Sequence, residues 1–426
     1  MGFSITAAAA ASSPWLPKTC LPRFSKYRNC CLPAASPPPC FRVVCRSGSQ
    51  YTVTDLKFAL HDALDSTGIN TSHAREARQA FISQIENLSE IERETSICIN
   101  RRVDLGRTAL YIAAEDDSLI SHSSVPLPVD AFLERLGDLS IGYCSHYNSL
   151  CRASHENFLD SIERYLYIKK GFRRNSSKNQ LERALYLHSV LTHRSGSAVM
   201  LSLIYSEILK MLHIWGLLDF DVEIFFPHDL HGLPGAYDKQ KSRVSDQPHI
   251  MTTQRLLEEI LKNQKDAFWP FQHDHSESLF LRAAIAANLI DGSNGVEESG
   301  YQLASAKFAQ HRLGCGVWTV VRFGDMRRAL SACEHLILLE TDPKELRDYS
   351  ILLYHCGLYE QSLQYLKLYQ ETKSSSLQKQ SLNSVSGLEE DVVQKLMVRL
   401  NLIAMEDGWS KPSRVRNFLG TNSEPW

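Results

Sequence analysis

Several histidines stand close enough in the sequence to bind a metal ion together. His228 and His231 lie in one polar segment, and the run His273-Asp274-His275 follows later in the chain. Imidazole and carboxylate groups are common zinc ligands. A His-x-x-His pair in a loop, however, lacks the fixed geometry that a helix imposes, and no cysteine lies nearby. The sequence therefore predicts solvated polar loops at these positions, with no metal and no cofactor.

Cysteines are the other residues that could act as nucleophiles or metal ligands. Five of the 11 cysteines precede residue 48, and the other six are widely scattered: Cys98, Cys144, Cys151, Cys315, Cys333 and Cys356. None of these six forms a Cys-x-x-Cys pair, which argues against a disulfide framework and against a zinc ribbon. Cys144 and Cys151 are candidate nucleophiles of an atypical hydrolase. Cys333 and Cys356 fall on helical stretches, where cysteine is most often a small core residue.

A basic segment surrounds Gly171. It contains the five cations Lys169, Lys170, Arg173, Arg174 and Lys178. Such a run could meet an acidic partner or RNA, although a charge run usually lies on a solvated face. The first 54 residues hold six basic and no acidic residues, so the rest of the chain carries a net charge of −8 against −2 for the whole. This balance disfavours a general nucleic-acid binder.

The sequence predicts that helices make up most of the first half of the chain and position its cysteines and basic residues. Apolar residues recur with a period of about 3.6 between residues 51 and 146, which predicts several helices, one beginning at Val129 with Asp130 in its first turn. Further helices are predicted between 157 and 218, including one over Leu181–Leu191.

The most apolar segment runs from Ala198 to Leu218. Charged and polar residues interrupt it, so it predicts a buried helix and no membrane span. The alternation from Phe220 to Pro227 predicts a strand. Residues 228–250 are rich in Gly, Pro, Lys, Ser and His and predict a long loop.

The C-terminal third contains an internal repeat. Residues 324–330 recur at 357–363, an offset of 33 residues. Each copy has a glycine at the bend and a small residue five positions later, Ala329 and Ser362, as in the tetratricopeptide pattern. About three copies are needed to bury a face, so the pair is expected to pack on helices from 276–320. A linker and a last helix over Leu388–Met405 follow.

Several motifs resemble the core of the bacterial SirB-type proteins, which join a transglutaminase-like domain to tetratricopeptide-like repeats. They occur in family order: Ala109 to Asp116, Ile162 to Leu166, Gly171 to Asn175, Leu187 to Tyr205, and the block from Gly324 to Gln370. The resemblance covers about 105–370. It implies a mainly α (α+β) fold, in which a helical transglutaminase-like domain with a small sheet precedes tetratricopeptide-like helical repeats.

Together with these resemblances, the sequence patterns imply five regions. They are a disordered transit peptide (1–48), an N-terminal helical region (51–150), a degenerate transglutaminase-like core (151–290), tetratricopeptide-like repeats (291–372), and a linker with a C-terminal helix (373–426).

The resemblance also implies where a catalytic triad would lie. Transglutaminase-like enzymes use a Cys at a helix N-terminus, a His from the following strand and an Asp that orients this His. The matching positions are Ala198, His228 and Asp246, with His231 as a second candidate for the histidine. Alanine has no nucleophilic atom, and the SirB-type family itself usually has proline there. Ser195 and Ser197 lie nearby, but an unaided hydroxyl is a far weaker nucleophile than a thiolate. The sequence therefore favours a protein without enzyme activity over an enzyme, and it identifies no catalytic residue beyond these relic positions.

The N-terminal segment resembles an organelle-targeting peptide. It lacks acidic residues up to Asp55 and is rich in Ser, Ala and Pro, and no basic residue precedes Lys18, which favours a plastid over a mitochondrial address. The sequence thus predicts a non-catalytic interaction or scaffold protein of the chloroplast stroma, acting in protein assembly or quality control through other proteins bound by its helical repeats. The alternatives are a papain- or transglutaminase-like hydrolase with an atypical nucleophile, and a mitochondrial location.

Overall fold

The computed structural model describes residues 57–88, 102–121, 125–147, 154–175, 181–225, 232–239, 251–271, 278–290, 324–376 and 384–410. The chain divides into two units after Gly48, and every described residue belongs to the second unit, Ser49–Trp426. Outside the described residues lie the predicted transit peptide and these candidate residues: His228, His231, Asp246, His273, His275 and Cys151. No described helix is both long and apolar enough to cross a membrane.

Helices dominate the N-terminal part of the described chain. The first four are α1 (Leu60–Ser66), α2 (Ser72–Ile85), α3 (Leu105–Ser121) and α4 (Val129–Tyr147). They confirm the helical periodicity before residue 146, including the start at Val129.

Further helices follow the periodicity between 157 and 218. They are α5 (His155–Glu163), which continues as a π-helical turn (Arg164–Lys169), then α6 (Leu181–Ala184), α7 (Leu187–His193) and α8 (Ala198–Ile214). The single helix predicted over Leu181–Leu191 is wrong. Tyr186 is extended, with φ −119° and ψ 134°, and packs its ring on Phe268 with centroids 6.3 Å apart, so tertiary packing overrides the local periodicity.

The remaining helices are α9 (Thr253–Phe268), α10 (Leu279–Ala286), α11 (Met326–Leu338), α12 (Lys344–His355), α13 (Tyr359–Ser376) and α14 (Ser384–Ser410). The last of these confirms the predicted C-terminal helix.

Two small sheets accompany the helices. Strands β1 (Arg173–Arg174) and β2 (Ser195–Gly196) pair in parallel, whereas β3 (Val222–Phe225) and β4 (Gly235–Asp238) pair antiparallel. Strand β3 confirms the strand predicted before Pro227. The uninterrupted loop predicted over 228–250 is wrong, because β4 lies within it. Gly235 and Ala236 have weak strand preferences, and their pairing with β3 fixes the extended backbone instead. The mostly helical fold class with small sheets is confirmed.

The apolar helix α8 forms the centre of the main core. Leu201, Leu203, Ile204 and Ile208 are fully buried, which confirms the buried helix predicted from Ala198 onward. Their neighbours in this core come from α3, α4, α5, α7 and α9.

Two helical hairpins occupy the C-terminal part. Gly324 and Gly357 precede α11 and α13 with φ values of +72° and +79°, which favour glycine. The small residues five positions later, Ala329 and Ser362, are both fully buried. Ser350 and Ser362 exchange hydrogen bonds of 2.8 Å between the hydroxyl of each and the carbonyl of the other, which requires close approach of α12 and α13. The helix pairs agree with the repeat pattern, and their tetratricopeptide-like nature stays a prediction.

A buried ion network joins the N-terminal helices to the C-terminal hairpins. Arg78 of α2 donates two hydrogen bonds to the carboxylate of Glu115 of α3, from Nε to Oε2 at 2.7 Å and from Nη2 to Oε1. Its Nη1 donates to Oε2 of Glu334 of α11 at 2.7 Å. Both carboxylates are fully buried. Burial alone would raise the pKa of Glu115, but the charge of Arg78 and the neighbouring histidines outweigh it and hold the pKa well below its usual range.

Helix α1 is anchored by the same network. Tyr349 donates to Glu334 at 2.6 Å, and the backbone N–H of Leu60 donates to the same carboxylate oxygen at 3.2 Å. The backbone N–H of Ala59 in turn donates to the Tyr349 hydroxyl at 3.0 Å. The start of the helical chain is therefore held by residues almost three hundred positions later, across the predicted boundaries at 150 and 290.

A second buried network ties α9 to the hairpins. Lys265 lies 2.6 Å from Glu345 and 3.1 Å from Asp348. Arg347 completes it by pairing with Asp348 at 2.9 Å and with Glu389 of α14 at 2.8 Å. These charges compensate each other in the interior, where an unpaired charge is costly.

The buried network predicts a large effect of Arg78→Met on stability. The substitution leaves two carboxylates buried without their cation, which should lower the free energy of unfolding by about 3–5 kcal/mol. Arg75→Met on the same helix is the control, because Arg75 pairs with Asp62 and Asp65 at the half-exposed surface and should cost about 0–1 kcal/mol. Urea unfolding measures both variants, and equal losses would contradict a structural role for the buried network.

A second stability prediction concerns Gly324. A Cβ atom there would overlap the backbone of Trp269 and Pro270, and φ is +72°. Gly68 has φ +86° with nothing within 4 Å of a Cβ, so Gly68→Ala should cost only the backbone strain, about 1–2 kcal/mol. Gly324→Ala should cost about 1–3 kcal/mol more from overpacking. Thermal unfolding of the two variants compares them, and similar melting temperatures would show that the chain relaxes easily around residue 324.

Candidate functional site

The catalytic-cysteine position of the resemblance lies at the N-terminus of α8. Ser197 is the N-cap residue, with φ −66° and ψ 159°, and its hydroxyl accepts a hydrogen bond from the backbone N–H of Met200 at 3.3 Å. Ala198 is the first residue of the helix and only 4% exposed. The helix N-terminus that would lower a thiol pKa is therefore present, but it holds a buried methyl group and no nucleophile.

The two nearby serines have structural positions. The Ser197 hydroxyl caps the helix, which is a common role for serine, and Ser195 is buried in β2, paired with Arg173 of β1. Between them, Gly196 leaves no space for a side chain, because a Cβ would come within 2.8 Å of Val190. The segment is thus fitted tightly between α7 and α8, and the Ser197 hydroxyl is engaged in the helix cap.

Two of the described thiols, Cys333 and Cys356, are poorly suited to act as nucleophiles. Burial raises the pKa of both the Cys333 thiol and the Cys356 thiol far above the usual range, so both are protonated at neutral pH and weakly reactive. Cys333 lies in the core as expected, whereas Cys356 is partly buried and packs against it. Cys144 is half-buried on α4 and packs against the main core.

A histidine–aspartate pair that the sequence did not reveal joins α5 to the β3–β4 hairpin. His155 Nδ1 lies 2.7 Å from Asp238 Oδ2, and the Asp238 side chain is almost fully buried. The His155 ring stacks on Phe220, with centroids 3.9 Å apart and planes within 7°. In the neutral imidazole, the carboxylate fixes the proton on Nδ1 and leaves Nε2 as the acceptor. Such a pair can take up a proton, as it does in catalytic triads.

The elements beside this pair hold the hairpin in place. Tyr167 donates to the Pro234 carbonyl at 2.6 Å, and Arg174 donates to the Gly232 carbonyl at 2.7 Å. Tyr167 lies in the π-helical turn, and Arg174 lies in β1, a few residues later. Strand β4 is therefore positioned by the same segment that carries the basic residues.

The His155 ring faces an open cavity of about 580 Å³, lined by His155, Asp219, Phe220, Asp221 and Lys239. None of these lining residues carries a hydroxyl or a thiol. The pair could therefore move a proton at this cavity, but the described lining offers no group that would form a covalent intermediate. No sequence signal pointed to it, because 83 positions separate the two residues and only tertiary packing brings them together.

Metal binding receives no support from the described residues. Within the ranges given above, no group of three or more His, Cys, Asp or Glu side chains could hold a metal ion. The candidate ligands His228 and His231 lie outside those ranges, as does Asp246. That these three residues are solvated loop residues or relic triad positions stays a prediction.

Comparison with known protein families gave a match, and it covers this region. A model of the transglutaminase-like superfamily matches residues 130–215, so a transglutaminase-like superfamily domain is present from α4 to the end of α8. The match includes Ala198 and ends before the β3–β4 hairpin. Comparison with curated proteins and with solved structures gave no match.

The capping role of Ser197 can be tested separately from catalysis. Ser197→Ala should lower the free energy of unfolding by about 0.5–2 kcal/mol through loss of the N-cap, whereas Ser197→Asp should retain the stability because a carboxylate caps equally well. Chemical denaturation measures both. If Ser197 were instead a nucleophile, Ser197→Asp would remove a measurable amidase or transamidase activity from a protein that is still stable.

Proposed function

We propose that this chain is a non-catalytic protein-interaction scaffold, built on a degenerate SirB-type transglutaminase-like domain and tetratricopeptide-like repeats. The observation that carries the proposal is the buried Ala198 at the helix N-terminus where the nucleophilic thiol of such enzymes would lie. A framework that retains its helix cap but lacks the reacting atom is suited to binding and not to covalent chemistry.

The surface of the C-terminal helix supports a protein partner. Val398, Leu402 and Met405 of α14 lie on one helix face and are about 60% exposed, with values of 58%, 60% and 65%. The opposite face of α14 packs into the hairpin core through Val393 and Leu396. An apolar stripe at helical spacing on an exposed face is typical of surfaces that contact other polypeptides.

The proposed location is the plastid stroma, where the scaffold would act in protein assembly or quality control. The acid-free, basic N-terminal segment supports an organelle address, and its serine- and alanine-rich start favours the plastid over the mitochondrion. A fluorescent fusion of residues 1–54 tests this location, and mitochondrial accumulation would support the alternative.

A second candidate function is a hydrolase with an atypical nucleophile. The His155–Asp238 pair favours it, because this pair could activate a thiol from a residue outside the described ranges, such as Cys151. This candidate requires one cysteine with a lowered pKa, whereas the scaffold requires none.

A thiol-directed activity probe distinguishes the two functions. With the scaffold, no cysteine of the native protein should react faster than free cysteine at the same pH. Cys333 and Cys356 should react much faster after unfolding in urea, because desolvation raises the pKa of both thiols in the folded protein. Mass spectrometry of labelled peptides gives the rates.

The controls are His155→Ala and His228→Ala, which should leave all labelling rates unchanged. Rapid labelling of one cysteine that either substitution abolishes would overturn the scaffold and establish a histidine-activated thiol.

A further inference from the structure

A basic pocket lies within the transglutaminase-like segment, away from the His155 cavity. We define it by the cations Arg135, Lys170 and Arg194 and the apolar residues Leu139, Phe172 and Leu191, which with Asp138 and Thr192 line a cavity of about 240 Å³. Its residues come from α4, from the turn after the π-helical segment and from the end of α7. The structure thus brings Lys170 of the predicted basic segment together with two arginines that are distant in sequence.

Hydrogen bonds to neutral groups hold two of the three cations. Arg135 lies 3.5 Å from the Thr192 hydroxyl, and Arg194 donates to the Lys170 carbonyl at 3.0 Å. In the described part of the chain, none of the three reaches a carboxylate within ion-pair distance, although Asp138 is among the lining residues. Their charges are therefore available to an anionic group of a partner.

The backbone at Arg194 is unusual and is firmly held. Arg194 has φ 55° and ψ 26°, the left-handed region, and is the C-cap of α7. Its N–H donates to Val190 at 2.8 Å, and its carbonyl accepts from Arg173 at 2.9 Å. Glycine is the usual residue in this conformation at a helix end. An arginine that tolerates the strain points to a use for its charge.

Lys170 is placed by close packing against α4. The Tyr165 hydroxyl donates to the Leu139 carbonyl at 2.9 Å, and Lys170 Nζ lies 5.3 Å from the centre of the Tyr165 ring. A Cβ atom at Gly142 would overlap the Tyr165 hydroxyl and come within 3.4 Å of Lys170 Nζ. Gly142 thus provides the space that lets the ammonium group reach the pocket.

We propose that the basic pocket binds an acidic peptide segment that inserts one apolar side chain. Arginine and lysine recognise carboxylates through charge-assisted hydrogen bonds, and the half-buried side chains of Leu139 and Leu191 offer an apolar contact to an aliphatic group. The cavity is smaller than the usual site of a small-molecule ligand, which fits a single side chain. This inference rests on the proposed function and names the class of partner.

Single-stranded RNA is the competing anionic partner, and the geometry disfavours it. Proteins that bind single strands without sequence preference stack the bases on accessible aromatic rings. Phe172 is only 3% exposed and therefore offers no stacking face. The net charge of the whole chain is also negative, at −2, which weakens long-range attraction of a polyanion.

The test uses the full chain and a fluorescein-labelled peptide in which glutamates flank one leucine, with binding followed by fluorescence anisotropy. The double substitution Arg135→Gln/Arg194→Gly should weaken binding at least tenfold. Replacing the peptide glutamates by glutamine, or its leucine by alanine, should weaken binding to the unsubstituted protein similarly. The matched control is Arg164→Gln, because Arg164 is an exposed cation of the neighbouring π-helical turn that does not line the pocket. The affinity of this variant for the peptide should be unchanged.

Folding of the double variant is checked by its melting temperature, which should stay close to that of the unsubstituted chain because glycine relieves the strained φ at residue 194. Equal peptide affinity in the double variant and in Arg164→Gln would overturn the proposal. So would an oligouridine RNA that binds more tightly than the peptide and competes with it, or the absence of any peptide binding.

The outcomes for the pocket and for the scaffold are separable. If the thiol probe reveals a catalytic cysteine while the peptide still binds, the scaffold function fails and the pocket stands. If the peptide does not bind while the thiols stay unreactive, the pocket proposal fails and the non-catalytic scaffold stands.

Discussion

Arg78, buried between Glu115 and Glu334, is the interaction on which the arrangement of the helices depends. A buried carboxylate without a cation is too costly to keep, so α2, α3 and α11 must lie together wherever this chain folds. Tyr349 and the N-terminus of α1 hydrogen-bond to the same Glu334 oxygen, which adds α12 and α1 to the group. The buried hydrogen bonds to Glu334 therefore hold the N-terminal helices and the C-terminal hairpins together.

Within this framework the transglutaminase-like segment has a buried alanine, Ala198, at the start of α8. The Ser197 cap, the tight fit of Gly196 against Val190 and the buried helix α8 do not depend on the chemistry of residue 198. A methyl group at that position leaves the fold intact, because the position is buried and the cap is provided by its neighbour. The same segment carries the cations Lys170 and Arg194 beside Arg135 of α4, so its surface can serve the recognition proposed above.

Local patterns in the sequence predicted the elements that local forces determine. The helical periodicity before residue 146, the apolar helix from Ala198 and the glycines at 324 and 357 all led to helices or bends that the structure contains. The break at Tyr186 and strand β4 were missed, since both are fixed by distant partners, Phe268 and β3. The His155–Asp238 pair and the approach of Arg135 to Lys170 and Arg194 were equally out of reach, because no spacing rule relates residues that only packing brings together.

The span of the buried network has a consequence for how the chain is made. Glu334 follows Arg78 by 256 positions, so a ribosome adding roughly 5–20 residues per second produces Glu334 on the order of tens of seconds after Arg78. Until then, only Glu115 is available to compensate the charge of the Arg78 guanidinium group, so this group is more stable when it remains hydrated. A nascent or truncated chain that ends before α11 can collapse around α8 but cannot bury Arg78 fully paired. Burial of Arg78 between its two carboxylates therefore requires a chain that extends as far as Glu334 in α11.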